Sequence, residues 1–303
     1  MKEPLLSPSP MDHAALLCDL EALCAKFPGL EFDYLGESIL GRPIPRIRLG
    51  HGPKMFFYIG AHHGMEWITA SLLQHFLRDF LEIDNHRGRI FGQDLALWKQ
   101  RNTLFLIPML NPDGVEYQIH GIHGENPLYE RLMEMNRQSN DFSTWQSNAR
   151  GVDLNHNYDA DFWEYKKQEA ELGIQNGPTR FSGEHPESEP EVHALCNCIR
   201  YHSPTAILTL HTQGEEIFFK SGHRTLPGTT SVARALSRLT GYRLSVAEGL
   251  ASYGGLTDWC VQKEICPSFT MECGKGTNPL PAAMEFPIYA KLRRALFLFP
   301  TLF

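Results

Sequence analysis

Four residues of this chain are of the types, and at the spacing, that hydrolytic metal chemistry uses: His63 and Glu66 in GAHHGMEW, His211 in LTLHTQGEE and Glu272 in FTMECG. Two imidazoles and a carboxylate are the donor set with which a protein holds a catalytic zinc ion while keeping one position open for water. Glu272 is a spare carboxylate, able to take a proton from that water and pass it to a leaving amine. Taken singly, none of these residues is decisive. An H-x-x-E spacing is common by chance, and a histidine picked from the 14 present is more often a surface or satisfied core residue than a ligand. The bland reading of Glu272 is a surface ion pair, but its apolar flank from Phe269 to Met271 makes it the end of a buried strand. The donor set favours one zinc ion over iron, cobalt or manganese.

The elements that must position these residues are legible. MFFYIGA (55–61) is a near-continuous apolar run, as expected for a strand covered on both faces. It passes through HHGME into ITASLLQHFLRDFLEI, where Ile68, Leu72, Phe76 and Phe80 flank Leu73, Leu77 and Leu81 in two adjacent apolar rows, the pattern of a helix. TLFLIPML (103–110), AILTLH (206–211) and CPSFTME (266–272) are further strands of the buried type, with shorter strands at 31–38 and 45–50 and helices at 13–27, 187–202, 229–240 and 285–298. Strands alternating with helices predict an α/β sheet with helices on both faces, and such sheets bind ligands at the carboxyl ends of their strands. His63, His211 and Glu272 each fall at such an end, so residues far apart in sequence converge on one sheet edge. Residues 115–190 are irregular and rich in Asn, Gly, Trp and His, and are expected to form the cleft wall as a long functional loop.

Composition narrows the function classes. With 303 residues, 42% of them hydrophobic, the chain is expected to be one catalytic domain (1–303) with a flexible tail over 1–12. A formal charge of −7 without a basic run argues against nucleic acid or an anionic membrane as partner, so the expected ligand is small. No apolar run is long enough to span a bilayer, and the N-terminus lacks a secretory pattern, which predicts a cytoplasmic protein. Seven cysteines without framework spacing suit reduced thiols, and Cys196 and Cys198 are expected as small buried groups on a helix.

Eight blocks in order, GRPI (41–44), GAHHGMEWIT (60–69), IPMLNPDG (107–114), ARGVDLNHNY (149–158), HPESEPE (185–191), TLHTQGEE (209–216), YGGLTDW (253–259) and PSFTMECGKG (267–276), resemble the zinc carboxypeptidase-type metallopeptidases. The resemblance implies an α/β/α sandwich around a mixed, mostly parallel sheet of about eight strands. It implies His63, Glu66 and His211 as ligands to one zinc ion and Glu272 as general base. It also selects His63 over its competitor His62, which becomes a packing or supporting residue. HTQGEE, ECGKGTNPLP and HPESEPE look most like the bacterial γ-D-glutamyl-L-diamino acid peptidase branch, which acts on cell-wall peptides.

The surrounding shell departs from the family pattern. Asn155 matches a residue that binds a substrate carboxylate, but His156 stands where an arginine is expected, and an imidazole cannot reproduce the bidentate grip of a guanidinium. Gln146 aligns with the transition-state arginine and Leu250 with the mobile tyrosine. Gln146 itself, Arg150 or Arg137 is then a candidate to stabilise the oxyanion, with Tyr253 replacing the missing phenol; the competing reading of Arg150 is an ion pair with Asp153 or a similar carboxylate. Thr257 occupies the position that shapes the pocket for the residue after the scissile bond, and Asp258 and Trp259 are read as structural. The first expectation is therefore hydrolysis of a γ-D-glutamyl to diamino acid bond. The alternatives are a metallocarboxypeptidase acting on ordinary peptides and a zinc-containing peptide-binding protein that no longer catalyses.

Overall fold

The apolar runs of the sequence become the middle of one twisted sheet. The computed structural model describes residues 9–303. Its strands, in chain order, are β1 (Phe32–Glu37), β2 (Pro43–Gly50), β3 (Lys54–Ile59), β4 (Arg89–Ile90), β5 (Gln93–Asp94), β6 (Asn102–Ile107), β7 (Ala206–His211), β8 (Glu216–Phe218), β9 (Arg243–Leu244) and β10 (Ser268–Glu272). β4 and β5 pair only with each other, and the other eight form one sheet in the order β1-β2-β6-β3-β7-β10-β8-β9. The four central strands β6, β3, β7 and β10 run parallel. β1 and β2 on one side and β8 on the other join antiparallel.

Alternation along the central strands explains why helices cover both faces. Phe56 and Tyr58 of β3 belong to one buried cluster with Leu208, Leu210, Phe269 and Met271, under the helices Ile68–Asn85 and Glu285–Leu298. Phe57 and Ile59 belong to a second cluster with Phe105 and Ile207, under Pro190–His202 and Leu256–Gln262. Each fully buried side chain of this size contributes roughly 1.5–3 kcal/mol, so an unpartnered polar replacement between Phe56 and Ile59 is expected to destabilise the sheet strongly. The expected α/β/α sandwich with a mixed eight-stranded sheet is thus the observed fold. Among the described residues no helix is long and apolar enough to cross a membrane.

Three expectations need correction. The 103–110 strand stops at Ile107, because Pro108 cannot donate to the ladder. The 115–190 stretch is not one loop: it carries helices Tyr129–Met135 and Phe162–Glu171, and the end of Pro112–His120. The last of these three starts with Pro112 in its first turn, behind Asn111, whose side chain accepts from Gly114 N. The helix at 162–171 escaped notice because the buried position after Phe162 and Tyr165 is Glu169, which accepts from Ser182 and pairs with Lys166, so no apolar period forms. The first eight residues of the expected tail lie outside the described residues. Its last residue is fixed rather than flexible, since Asp12 caps the helix His13–Lys26 by accepting from Ala15 N at 2.7 Å and pairs with His120 at 2.8 Å. Cys196 and Cys198 are buried on the helix Pro190–His202.

Candidate metal centre and active-site cleft

Parallel pairing of β7 and β10 puts His211 opposite Glu272, each the last residue of its strand. β3 ends at Ile59, level with Thr209, and the chain continues past the sheet edge to His63, four residues beyond the strand rather than at its end. A 3-10 turn, Gly64–Glu66, then brings Glu66 back beneath His63. Glycine at 64 is dictated by a close backbone crossing: a Cβ there would stand 2.2 Å from the carbonyl oxygen of Gly114. That contact ties GAHHGMEW to NPDG, and Gly64 N donates to the carbonyl of Gln146 at 2.9 Å.

Glu66 presents one carboxylate oxygen to each imidazole. Oε1 lies 3.0 Å from His63 Nδ1 and Oε2 lies 3.1 Å from His211 Nδ1, with Thr212 N donating to Oε2 at 3.2 Å. The three groups offer ligand atoms all within 4.8 Å of one another. His63 Nε2 is held by Asp153 Oδ1 at 3.0 Å. Burial opposes charge on His63, but the flanking carboxylates of Glu66 and Asp153 outweigh it and lift the imidazole well above its ordinary pKa. Three Lewis bases aimed at one point, buried, with a carboxylate orienting one imidazole from behind, fit a divalent zinc ion in donor type and in number.

His62 faces elsewhere. It is fully buried, hydrogen-bonds with the Tyr158 hydroxyl at 2.9 Å, and is held neutral by burial and by the neighbouring histidines His211 and His63. Glu272 is half-buried at the cleft, and burial together with the Glu66 charge raises its pKa well above the ordinary carboxylate range.

The shell residues sort by position. Gln146 lines a cavity together with His63, Asp153 and His156; its Oε1 accepts from the Thr179 hydroxyl, which leaves its amide N–H groups as donors for the cleft. His156 donates from Nδ1 to the carbonyl of Tyr253 at 2.8 Å and stacks on Tyr165 with centroids 4.4 Å apart. Asn155 and Thr257 line an adjoining cavity with Glu272, where Asn155 Oδ1 accepts from Leu256 N at 3.2 Å. The Thr257 hydroxyl is engaged with Ser268 and Thr270 at 3.0 and 2.9 Å. Four expectations are not met. Arg150 does not line the cleft as an oxyanion candidate; it pairs with Glu189 at 3.7 Å, which meets its competing reading through a carboxylate other than Asp153. Arg137 lines a second surface cavity, which shares Pro178, Thr179 and Arg180 with the cleft but contains none of the metal ligands. Tyr253 contributes its carbonyl, and neither its phenol nor Leu250 lines either cavity beside the metal ligands.

Sequence reading missed three contributors. Asp153 enters the sequence reading only as a partner for Arg150, although its place in GVDLN, two residues before Asn155, is a usable signal. Arg180 lines the cleft with His63, Gln146 and His156, is exposed, and has no carboxylate within salt-bridge distance among the described residues. Nothing in its local sequence marks it, because it reaches the cleft only through the backbone bond from Arg180 N to Asp153 Oδ2 at 3.1 Å. Asn278 joins the two blocks on either side of the cleft, accepting from the Thr212 hydroxyl and donating to its carbonyl, both at 2.8 Å.

Comparison with known proteins fits this geometry. The zinc carboxypeptidase family matches residues 18–291. γ-D-Glutamyl-L-diamino acid endopeptidase 1 of Lysinibacillus sphaericus is 34% identical over 278 residues, covering 92% of this chain and 69% of that protein. Bovine thrombin-activatable fibrinolysis inhibitor superposes with a TM-score of 0.73 at 17% identity over 97% of both chains. Murein-tripeptide amidase of Escherichia coli O157 superposes with a TM-score of 0.54 at 19% identity, covering 88% of this chain and 93% of that one. A match running from the first helix into the last, on this sheet and with these donors at its edge, makes the chain a zinc metallopeptidase belonging to the zinc carboxypeptidase family.

Proposed function

We propose that the enzyme hydrolyses the amide between the γ-carboxyl of D-glutamate and the α-amino group of a diamino acid in peptides derived from the cell wall. The observation that carries this reading is the position of Arg180, a cation without a carboxylate partner among the described residues, on the same cavity wall as His63, Gln146 and His156. A γ-linked glutamate leaves its α-carboxylate on the acyl side of the scissile bond, and Arg180 is the guanidinium available to bind it. His156 is poorly suited to that role: with Nδ1–H given to Tyr253, the neutral ring has only an acceptor left at Nε2. The same deficit weighs against gripping a peptide C-terminus as a carboxypeptidase does. The named activity of the Lysinibacillus relative, similar over most of this chain, supports the reading.

In this scheme His63, Glu66 and His211 hold the zinc ion. When bound, the ion supplies Lewis acidity to the scissile carbonyl and to the attacking water. Glu272 takes the proton of that water and delivers it to the leaving amine. Gln146 donates to the carbonyl oxygen as negative charge develops there, and Asn155 orients the residue after the scissile bond. We place the protein in the cytoplasm, where seven free thiols, five of them buried (Cys196, Cys198, Cys260, Cys266 and Cys273), suit a reducing environment. The test is mass spectrometry of zinc-loaded protein with L-alanyl-γ-D-glutamyl-diaminopimelate. Release of the diamino acid is expected; release of C-terminal residues from ordinary α-peptides, with the γ-bond untouched, would overturn the proposal in favour of a carboxypeptidase.

A further inference from the structure

Pro178, Thr179 and Arg180 line two cavities at once. One is the cleft with His63, Gln146 and His156; the other is a surface cavity of about 610 Å³. The second is walled by the helix Tyr129–Met135, the turn after it and the loop that follows Phe162–Glu171. Its volume lies within the roughly 300–1,000 Å³ of small-molecule sites, and its charge is one-sided. Arg131, Arg137 and Arg180 all stand on the wall, exposed, and none has a carboxylate within salt-bridge distance among the described residues. Glu134, the one acid on that wall, lies midway between Arg131 and Arg137 in sequence and pairs with neither. Two of the three arginines also hold the left-handed backbone, with φ of 54° at Arg137 and 70° at Arg180, a region where glycine or asparagine would be relaxed. Like charges gathered around one cavity repel, and the backbone strain adds to that cost; a ligand of high negative charge offsets both.

We propose that this cavity takes a phosphorylated group carried at the amino end of the substrate peptide. Its direction rests on the γ-glutamyl reading: Asn155 and Thr257 lie on the side of the leaving amine, and the wall with Gln146 and Arg180 lies on the acyl side. A peptide whose glutamyl α-carboxylate meets Arg180 runs on past Pro178–Arg180 toward Arg131 and Arg137. A free amino terminus brings an ammonium, the wrong charge for that place. A lone carboxylate is matched by one guanidinium and leaves the other uncompensated. A phosphate carries about −1.5 to −2 charge at pH 7 with three strong acceptor oxygens, which two guanidiniums can hold by forked hydrogen bonds. Phosphomonoesters and diphosphates share this chemistry. The chain as a whole carries −7, so the cationic patch is local and suits a small anionic group rather than a long polyanion.

Two measurements on zinc-loaded protein test this. The first compares kcat/KM for L-alanyl-γ-D-glutamyl-diaminopimelate with its amino end acetylated, phosphonoacetylated, or capped by a hydroxyacetyl group bearing a diphosphate. Wild type is expected to prefer the phosphonoacetyl peptide over the acetyl one by about tenfold to a hundredfold, the size of a hydrogen bond to a charged group. That preference should shrink at high salt, because the arginines are exposed. Arg131→Ala and Arg137→Asn, the latter supplying a residue that tolerates the left-handed backbone, should remove most of it and leave the acetyl peptide unchanged. A further gain for the diphosphate cap sustains the site and identifies a diphosphate ligand; equal gains sustain it and identify a phosphomonoester. The second measurement titrates the acetyl and phosphonoacetyl peptides by calorimetry into Glu272→Gln protein, where turnover does not interfere. Cleavage of the γ-bond with equal kcat/KM for those two peptides overturns the phosphate site and leaves the γ-glutamyl activity standing. Absence of cleavage, with the phosphonoacetyl peptide binding more tightly in a way that depends on Arg131 and Arg137, removes that activity and retains the site. Equal binding of the two peptides overturns the site whatever the activity.

Discussion

Asp153 holds His63 from behind, its Oδ1 3.0 Å from Nε2, while Nδ1 on the other side of the ring faces Glu66 at 3.0 Å. The same carboxylate accepts from Arg180 N through Oδ2 at 3.1 Å and from Asn155 N through Oδ1 at 3.2 Å. One buried side chain thus fixes a metal ligand and two segments of the substrate cleft. Carboxylates that orient a ligating histidine commonly carry about 10–100-fold in metal affinity. Asp153→Asn is therefore expected to weaken zinc binding by that factor, read by competition with a fluorescent chelator, and Asp153→Ala to lower the melting temperature as well. Unchanged zinc affinity in a folded Asp153→Asn protein would show that His63 is positioned without it.

Arg180 is exposed and has no carboxylate within salt-bridge distance among the described residues, so its replacement should leave the fold intact. Arg180→Ala is expected to cut kcat/KM for a γ-D-glutamyl substrate by about tenfold to a hundredfold, corresponding to the ~1.5–3 kcal/mol of a hydrogen bond to a charged group. A substrate with D-isoglutamine in place of D-glutamate, whose α-carboxylate is a carboxamide, should lose comparably with wild type and little more with the variant. Additive losses in that cycle would mean that Arg180 and the α-carboxylate do not meet.

Glu272 separates an enzyme from a protein that only binds peptides. Glu272→Gln keeps the shape and removes the base, so turnover is expected to fall by about 10²–10⁴-fold, while zinc content and product binding stay close to wild type. Equal turnover in both proteins would return the chain to the class of zinc-containing binding proteins.

What was legible in advance followed from how many residues state the same fact. The central strands announced themselves through runs such as Phe56–Ile59, because both faces of a parallel sheet must be apolar. His211 and Glu272 could be placed because each ends such a run. The helix at 162–171 could not be read, because the buried Glu169 interrupts its pattern. Arg180 and the pairing of Arg150 with Glu189 were hidden for a different reason. Each depends on which distant segment the chain lays alongside, and local spacing carries no record of that.

Beneath the cleft wall, Glu191 is fully buried beside Glu189, with Asn148 Nδ2 donating to the two carboxylates at 3.3 and 2.7 Å and Ile39 N donating weakly to Glu191 at 3.4 Å. Burial first, and then the charges of Glu189 and Asp113, push the Glu191 pKa from near 4.5 up to about 8. The folded protein therefore keeps a proton that the unfolded chain releases above about pH 4.5. Between those two values the unfolded state binds fewer protons, so this group's contribution to stability is complete below about pH 4.5 and is lost as pH rises toward about 8. Glu191→Gln keeps a neutral amide at the site and removes the titration. The variant is expected to flatten the fall in melting temperature between pH 5 and pH 8, and to gain on wild type at the upper end by an amount on the order of a few kcal/mol. A wild type and variant whose pH–stability curves run parallel would show that Glu191 is already ionised in the folded protein at neutral pH.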